Sequence, residues 1–379
     1  MSYSAKPRGW HSVKLSDLVF FQRGFDITQA QQKPGPYPVI SSSGVTSFHD
    51  EFKASGPGVV IGRKGTLGSI HFTAGDYWPH DTTLWSKDFK ENSPRFIYYF
   101  LHTLDFKRFD VGNSNPTLNR NHIHDIPITI PPCPIQDSIA SILSAYDDLI
   151  ENNRRRMALL EESARLLYRE WFVRLRFPGH EHTRIIDGVP EGWERTTLGN
   201  LCKEIRELVL PDEVEPDTPY IGLEHMPRRS ISLNEWGKAE QVTSGKHLFR
   251  AGEILFGKIR PYFHKVGITF VDGVASSDTI VMRPLEKKLR GLALMTVSSD
   301  EFIALTAQTM KEGSKMPRAD WKQMQQYSVQ LPPDGLLSSF DSVIQDIIGQ
   351  LKTLSFTNQK LRAARDLLLP RLMSGEIAV

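Results

Sequence analysis

From Ile139 onward, every third or fourth residue belongs to one mostly apolar series: Ile139, Leu143, Tyr146, Ile150, Asn153, Met157, Leu160, Ala164, Leu167 and Trp171. The steps alternate four and three, the spacing of a seam along one face of a helix. The same spacing returns 201 residues later as Phe340, Ile344, Ile347, Leu351, Leu354, Asn358, Leu361, Arg365, Leu368 and Leu372. Pro131, Pro132 and Pro134 precede the first run and Pro332 and Pro333 the second, so both starts are punctuated. "FPGHE" at Phe177 stops the first run. Pro370 is expected to kink or end the second near Leu369, which puts the place of Leu372 in question. Two seams of equal length predict two long helices packed on each other as an antiparallel coiled coil. The alternative is that each helix covers its own domain. A rod of ~35 residues would be roughly 50 Å long. Asn153 and Asn358 are polar seam positions of the kind that fixes register at a cost in stability.

Away from the seams the pattern changes. Short β-branched and aromatic runs, broken by Gly, Pro, Ser and Asp, read as strands: "GVVIGRKG", "GSIHFTAG", "EILFGKI" and "VGITFV". Helical stretches such as "SPRFIYYFLHTLDF" and "RGLALMTVSSDEFIALTAQ" lie between them. These segments predict mixed α+β domains, and the domains are duplicated. "GWHSVKLSDL" at Gly9 is answered by "GWERTTLGNL" at Gly192, an offset of 183 residues. "DTTL" at Asp81 meets "DTIV" at Asp278, and "VGNSNPTLN" at Val111 meets "EGSKMPRAD" at Glu312. "IPITIPP" ending at Pro132 meets "YSVQLPP" ending at Pro333, where the offset has grown to 201, so the second copy carries insertions. The expected organisation is a recognition domain over 1–132, a spacer helix over 133–178, a second domain over 179–333, and a second helix and tail over 334–379. Antiparallel helices would set the two domains at opposite ends of a ruler, related by a pseudo-twofold axis. Such a ruler suits two half-sites on duplex DNA, unlike each other because the domains differ.

Composition narrows the partners. With 46 basic and 44 acidic residues the net charge is only +2, so any nucleic-acid surface must come from local clustering. Two cysteines, Cys133 and Cys202, make neither a disulfide framework nor a four-cysteine zinc site and point to a reducing cytoplasm. No apolar run approaches the ~20 residues of a membrane span. The start, "MSYSAKPRGW", lacks the apolar segment of a signal peptide. A cytoplasmic protein without a membrane partner is expected.

The G-W-x4-L motif, the "IPITIPP" and "VQLPP" segments before each long helix, and "LLLPRLMSGEI" near the C-terminus resemble the specificity subunit of type I restriction–modification enzymes, over essentially the whole chain. The resemblance implies two target-recognition domains alternating with two helical spacers, and binding to an asymmetric, two-part sequence in double-stranded DNA. It also implies partner subunits: DNA methyltransferase (modification) subunits, two of them, and restriction/translocase subunits. Those partners hold the S-adenosylmethionine and ATP chemistry, so this chain would need no cofactor and catalyse nothing.

The residues agree with that. "SNPTL" at Ser114 has Asn-Pro but lacks the aromatic of an adenine methyltransferase motif. His122 with His124, and His180 with His182, lack further ligands at metal spacing. "GEILFGK" at Gly252 has the spacing of a phosphate loop, but Ile259 stands where Ser or Thr is needed and Glu253 would repel phosphate. It reads better as a strand that delivers Lys258 and Arg260 to the surface. "GVVIGRKG" is its partner in the first copy, with Gly58 and Lys64 at the same six-residue spacing. The candidate DNA contacts are therefore Arg63, Lys64, Thr66, Asn113, Ser114 and Asn115 in the first domain. In the second they are Lys258, Arg260, Ser314, Lys315 and Arg318. Arg154–Arg156 read as a solvated helix face, or else as a contact with DNA backbone between the half-sites or with a partner subunit. Tyr168 and Phe172 are either partner-docking aromatics or packing beneath a domain. Competing readings are a specificity subunit for a fused nuclease–methyltransferase, a protein adaptor without DNA, and a stand-alone enzyme using the Gly252–Lys258 loop.

Overall fold

A computed structural model describes residues 9–109, 117–308 and 318–379. The chain divides into two compact units: residues 1–150 with 360–379 form unit 1, and residues 151–359 form unit 2.

Unit 1 is built on a four-stranded antiparallel sheet in the order Phe20–Arg23, Thr83–Asp88, Gly58–Gly62, Ile70–Thr73. Its inner strand is a continuous apolar run in which Val59, Val60 and Ile61 are fully buried, as expected of a strand covered on both faces. A smaller sheet, Gly44–His49, Tyr37–Ser41 and Trp78–Pro79, lies in the same unit. His11–Lys14 and Pro127–Ile130 pair antiparallel, and Ile128 and Ile130 join the core that holds Phe21, Val59 and Leu84.

Unit 2 repeats this plan with additions. Cys202–Ile205, Thr279–Pro284, Ile254–Gly257 and Val266–Thr269 form the same antiparallel order, extended by Ser232–Leu233 in parallel. The pair Glu194–Thr197 and Ser328–Leu331 repeats the first unit's pair. The insertions can be located: "PVI" at Pro38 answers "PYI" at Pro219, both in strands with one parallel neighbour, and 24 residues separate Pro38 from Gly62 whereas 38 separate Pro219 from Gly257. Ser232–Leu233, a strand without a counterpart in unit 1, falls in that segment, and Lys246–Phe249 there extends what in unit 1 is the single bridge between Ala54 and Tyr77.

Two long helices, Cys133–Tyr168 and Asp334–Met373, each contribute to both units. All ten positions of each heptad series are buried or half-buried. In unit 2, Trp171 packs on Phe340 with ring centroids 5.7 Å apart, and Asn153 donates to Asn358 Oδ1 at 2.9 Å. The first helix's later residues thus meet the second helix's earlier ones, so the helices run antiparallel within the unit. In unit 1, Asp147 pairs with Arg365 and accepts from the Tyr99 hydroxyl at 2.6 Å. Ile139 and Leu143 share a core with Leu372 and Met373 there. Pro370 therefore does not end the helix: Leu372 is 1% exposed. Burial of Leu372 and Met373 offsets the one backbone hydrogen bond that proline removes. Tyr168 and Phe172 are buried in the unit 2 core, against Trp193 and Phe340 in the case of Phe172. Arg154, Arg155 and Arg156 are exposed, with Glu151 3.0 Å from Arg155. Among the described residues, no helix is long and apolar enough to cross a membrane.

Candidate nucleic-acid interface

The strand Gly58–Gly62 delivers Arg63 to its end, and three backbone hydrogen bonds hold that end. Arg63 N and Lys64 N both donate to Thr82 O, at 2.8 and 3.1 Å, and Arg63 O accepts from Leu118 N at 2.9 Å. The turn after the strand folds back so tightly that a Cβ on Gly62 would lie 2.1 Å from Thr66 O. Only glycine fits there. In unit 2, Lys258 N donates to Asp278 O at 2.8 Å and Lys258 O accepts from Ala319 N at 2.9 Å. Gly62 stands opposite Thr83, and Gly257 opposite Thr279. Each of these threonines donates its hydroxyl to the carbonyl three residues back, at 2.6 Å.

The two strand ends are therefore the same site, and the counterpart of Lys258 is Arg63. The six-residue spacing from glycine to lysine had paired Lys258 with Lys64, one residue too far. The "DTTL" and "DTIV" landmarks shift likewise, with Thr83 rather than Thr82 matching Thr279. Glu253 is 4% exposed, accepts from Arg250 N at 2.9 Å and pairs with Arg283. It caps a strand, so Gly252–Lys258 is no phosphate loop.

Arg63 borders an open cleft of about 870 Å³, lined also by Gln22, Arg23, Asp81, Asn119 and Arg120. Burial pushes the Arg63 guanidinium below its ordinary range; Arg23 adds to this and Asp81 opposes it. Arg23 pairs with Asp81 at 3.0 Å. In unit 2, burial likewise lowers the Lys258 amine, against the raising effect of Glu204. Lys258 Nζ donates to Ser277 O at 3.0 Å. Arg318 pairs with Asp278 at 3.2 Å and Arg206 with Glu204 at 2.7 Å. Lys64 and Thr66 are exposed on the turn after Arg63. Arg260, exposed and left-handed at φ +50°, turns toward Phe263, whose ring centroid is 5.9 Å away. Asn113, Ser114, Asn115, Ser314 and Lys315 lie outside the described residues.

Arg23 and Arg206 are the residues that sequence reasoning missed. Arg23 stands opposite Leu84, one residue past Thr83. Ile205 stands opposite Val281, which sets Arg206 opposite Ile280, one past Thr279. Both arginines thus border the strand end from the neighbouring strand but one. The signal was available, because their offset of 183 is that of the two G-W motifs.

The histidine pairs have other work. His124 Nε2 accepts from Phe21 N at 3.0 Å, and His180 Nδ1 lies 2.8 Å from Phe177 O. Among the described residues, one group could present metal ligands: Asp26, His80 and Asp81, with ligand atoms within 4.8 Å of one another. Arg23 already pairs with Asp81 Oδ2, and His80 Nδ1 lies 3.2 Å from Asp81 Oδ1.

A family model described as the type I restriction modification DNA specificity domain matches residues 7–162. The chain is 24% identical over 312 residues to the type I restriction enzyme MjaIX specificity subunit of Methanocaldococcus jannaschii, covering 75% of this chain and 69% of that protein. It is 22% identical over 367 residues to the type I restriction enzyme EcoDI specificity subunit of Escherichia coli, covering 88% and 80%. A crystal structure of the type I restriction–modification S subunit from M. genitalium has the same fold, with TM-score 0.63 at 14% identity over 98% of each chain.

Proposed function

We infer that this chain, a member of the type I restriction–modification DNA specificity family, reads an asymmetric, two-part DNA sequence, one half with each unit. It is the DNA-specificity subunit of a methyltransferase and endonuclease complex, and it is not itself the catalyst. The observation that carries the two-part reading is the strand end that both units repeat. Arg63 and Lys258 occupy one backbone position, fixed by matching backbone hydrogen bonds.

In this reading the recognition domains are residues 1–132 and 179–333. The spacers, 133–178 and 334–379, form an antiparallel coiled coil that acts as a ruler and sets the gap between half-sites. The contacts between Asn153 and Asn358 and between Trp171 and Phe340 support it. Two modification subunits and the restriction/translocase subunits assemble on this chain in the cytoplasm. They bring S-adenosylmethionine and ATP, and no cofactor belongs to the chain.

The experiment is a methylation map of cells that express this chain with its partner methyltransferase. One split motif with two unlike halves and a fixed gap is expected. Replacing residues 9–130 by those of another specificity chain should change one half and leave the other. A motif in which both halves change, or no new modified motif beside an active and bound partner, would refute the reading.

A further inference from the structure

In both units the strand-end cation sits among carboxylates. Beside Arg63, Asp81 is held by Arg23, and Asp26 lines the same cleft. Beside Lys258, Asp278 is held by Arg318 and Glu204 by Arg206. A surface built to grip phosphates gains affinity with each phosphate it neutralises, so it carries positive charge without internal compensation. These acids cancel much of that charge locally. Carboxylates turned toward DNA are productive where DNA offers hydrogen-bond donors, and in the grooves those are the amino groups of bases. The mixture of cations and acids therefore suits base edges better than backbone.

Placement points the same way. Discrimination between bases needs side chains held to a fraction of an ångström on rigid elements. Arg63 and Lys258 meet that need, because each follows a fully buried strand and is pinned through its own N–H and C=O. Their donors are also uncommitted. Among the described residues Arg63 Nη1 is buried without an acceptor, and Lys258 Nζ gives one of its three hydrogens to Ser277 O.

We propose that Arg63 and Lys258 are equivalent specificity-determining residues, each reading a base edge at the matching position of its own half-site. Arg63 takes a guanine through its two-pronged guanidinium. Arg23 and Arg206 are positioning residues that hold the flanking carboxylates. The proposal rests on the DNA reading above and sharpens it from binding to base readout.

The test is the methylation motif written by the complex of this chain with its methyltransferase, for the wild type, Arg63→Gln and Arg63→Lys. Arg63→Gln should lower discrimination at one position of one half by roughly five- to hundred-fold. The other half and the gap should stay as they were. Arg63→Lys, which keeps the charge and loses the fork, should loosen the same position. An unchanged motif written uniformly more slowly overturns the proposal and makes Arg63 a phosphate contact. If Arg63→Gln abolishes assembly, Arg63→Lys decides: full retention of the wild-type motif refutes base readout by the fork. Lys258→Gln must loosen one position in the opposite half, and an intact opposite half refutes the equivalence. A wild-type complex that writes no two-part motif sinks the DNA reading itself, which separates the two failures.

Discussion

In unit 1 a guanidinium, Arg63, borders an open cleft, and its neighbour Arg23 is tied to Asp81. In unit 2 an amine, Lys258, leans on a backbone carbonyl, and its neighbours Arg206 and Arg318 are each tied to their own acid. Beneath those different side chains the backbone is the same, down to the hydroxyl bonds of Thr83 and Thr279. Placement and chemistry are thus carried by separate parts of each unit. The sheet and its backbone hydrogen bonds say where the strand-end cation stands. The side chains say what it can bond.

The comparison can be broken first at the helices. In unit 2 the helix contact is largely apolar, and Phe340 is fully buried against Trp171 and Phe172. Phe340→Ala should cost about 3–5 kcal/mol, seen as a lowered unfolding transition in thermal or denaturant melts. Leu143→Ala, fully buried in unit 1, should cost about 2–5 kcal/mol. If the two variants melt together, the units share one cooperative transition. Separate transitions would show that each unit holds itself up.

Polar groups in the seam should have smaller effects, and of different kinds. Asp147→Ala in unit 1 deprives both Tyr99 and Arg365 of a partner, a loss of about 1–3 kcal/mol. In unit 2, Asn153→Leu leaves Asn358, 4% exposed, without its partner, again about 1–3 kcal/mol. Adding Asn358→Leu should recover most of that, because two apolar residues can replace a satisfied polar pair at little cost. A double-mutant cycle measures the coupling. Full additivity would mean that the amide pair does not act as a unit.

The smallest expected effect is a pH dependence that both units share, with burial as the first cause in each. Burial lowers the pKa of His124 and of His264 below the ordinary 6.5. A base with a depressed pKa binds fewer protons folded than unfolded, so stability falls as pH drops below about 6.5. His124 must stay neutral at Nε2 to accept from Phe21 N, whereas His264 keeps Nε2 against Ser298 O and is opposed by nearby Arg229. Melts between about pH 7.5 and 5.5 should show the loss, and His124→Gln should reduce it. An unchanged pH slope in that variant would assign the dependence elsewhere.

Much of this architecture was legible because periodicity survives in the letters. The seam needs only residue type at intervals of three and four, so every position but Leu372, beyond Pro370, could be placed from the letters. The strand end was legible as an apolar run stopping at a basic turn. Its alignment between copies was not, because a one-residue change between glycine and lysine leaves composition untouched while shifting every hydrogen-bond partner. Arg23 and Arg206 were hidden for a related reason: a lone arginine after a short strand has no local signature. Only the sheet brings it beside a residue about 40 or 50 positions away. The survival of the helix past Pro370 depended on what Leu372 touches, which local propensity does not encode.

Positions 63 and 258 are anchored through their own N–H and C=O groups, which nearly every amino acid shares. Position 63 or 258 can therefore change identity without asking the sheet to refold. If Arg63 and Lys258 read bases as proposed, the residue that sets each half-site is one that can be exchanged while its backbone anchors stay in place.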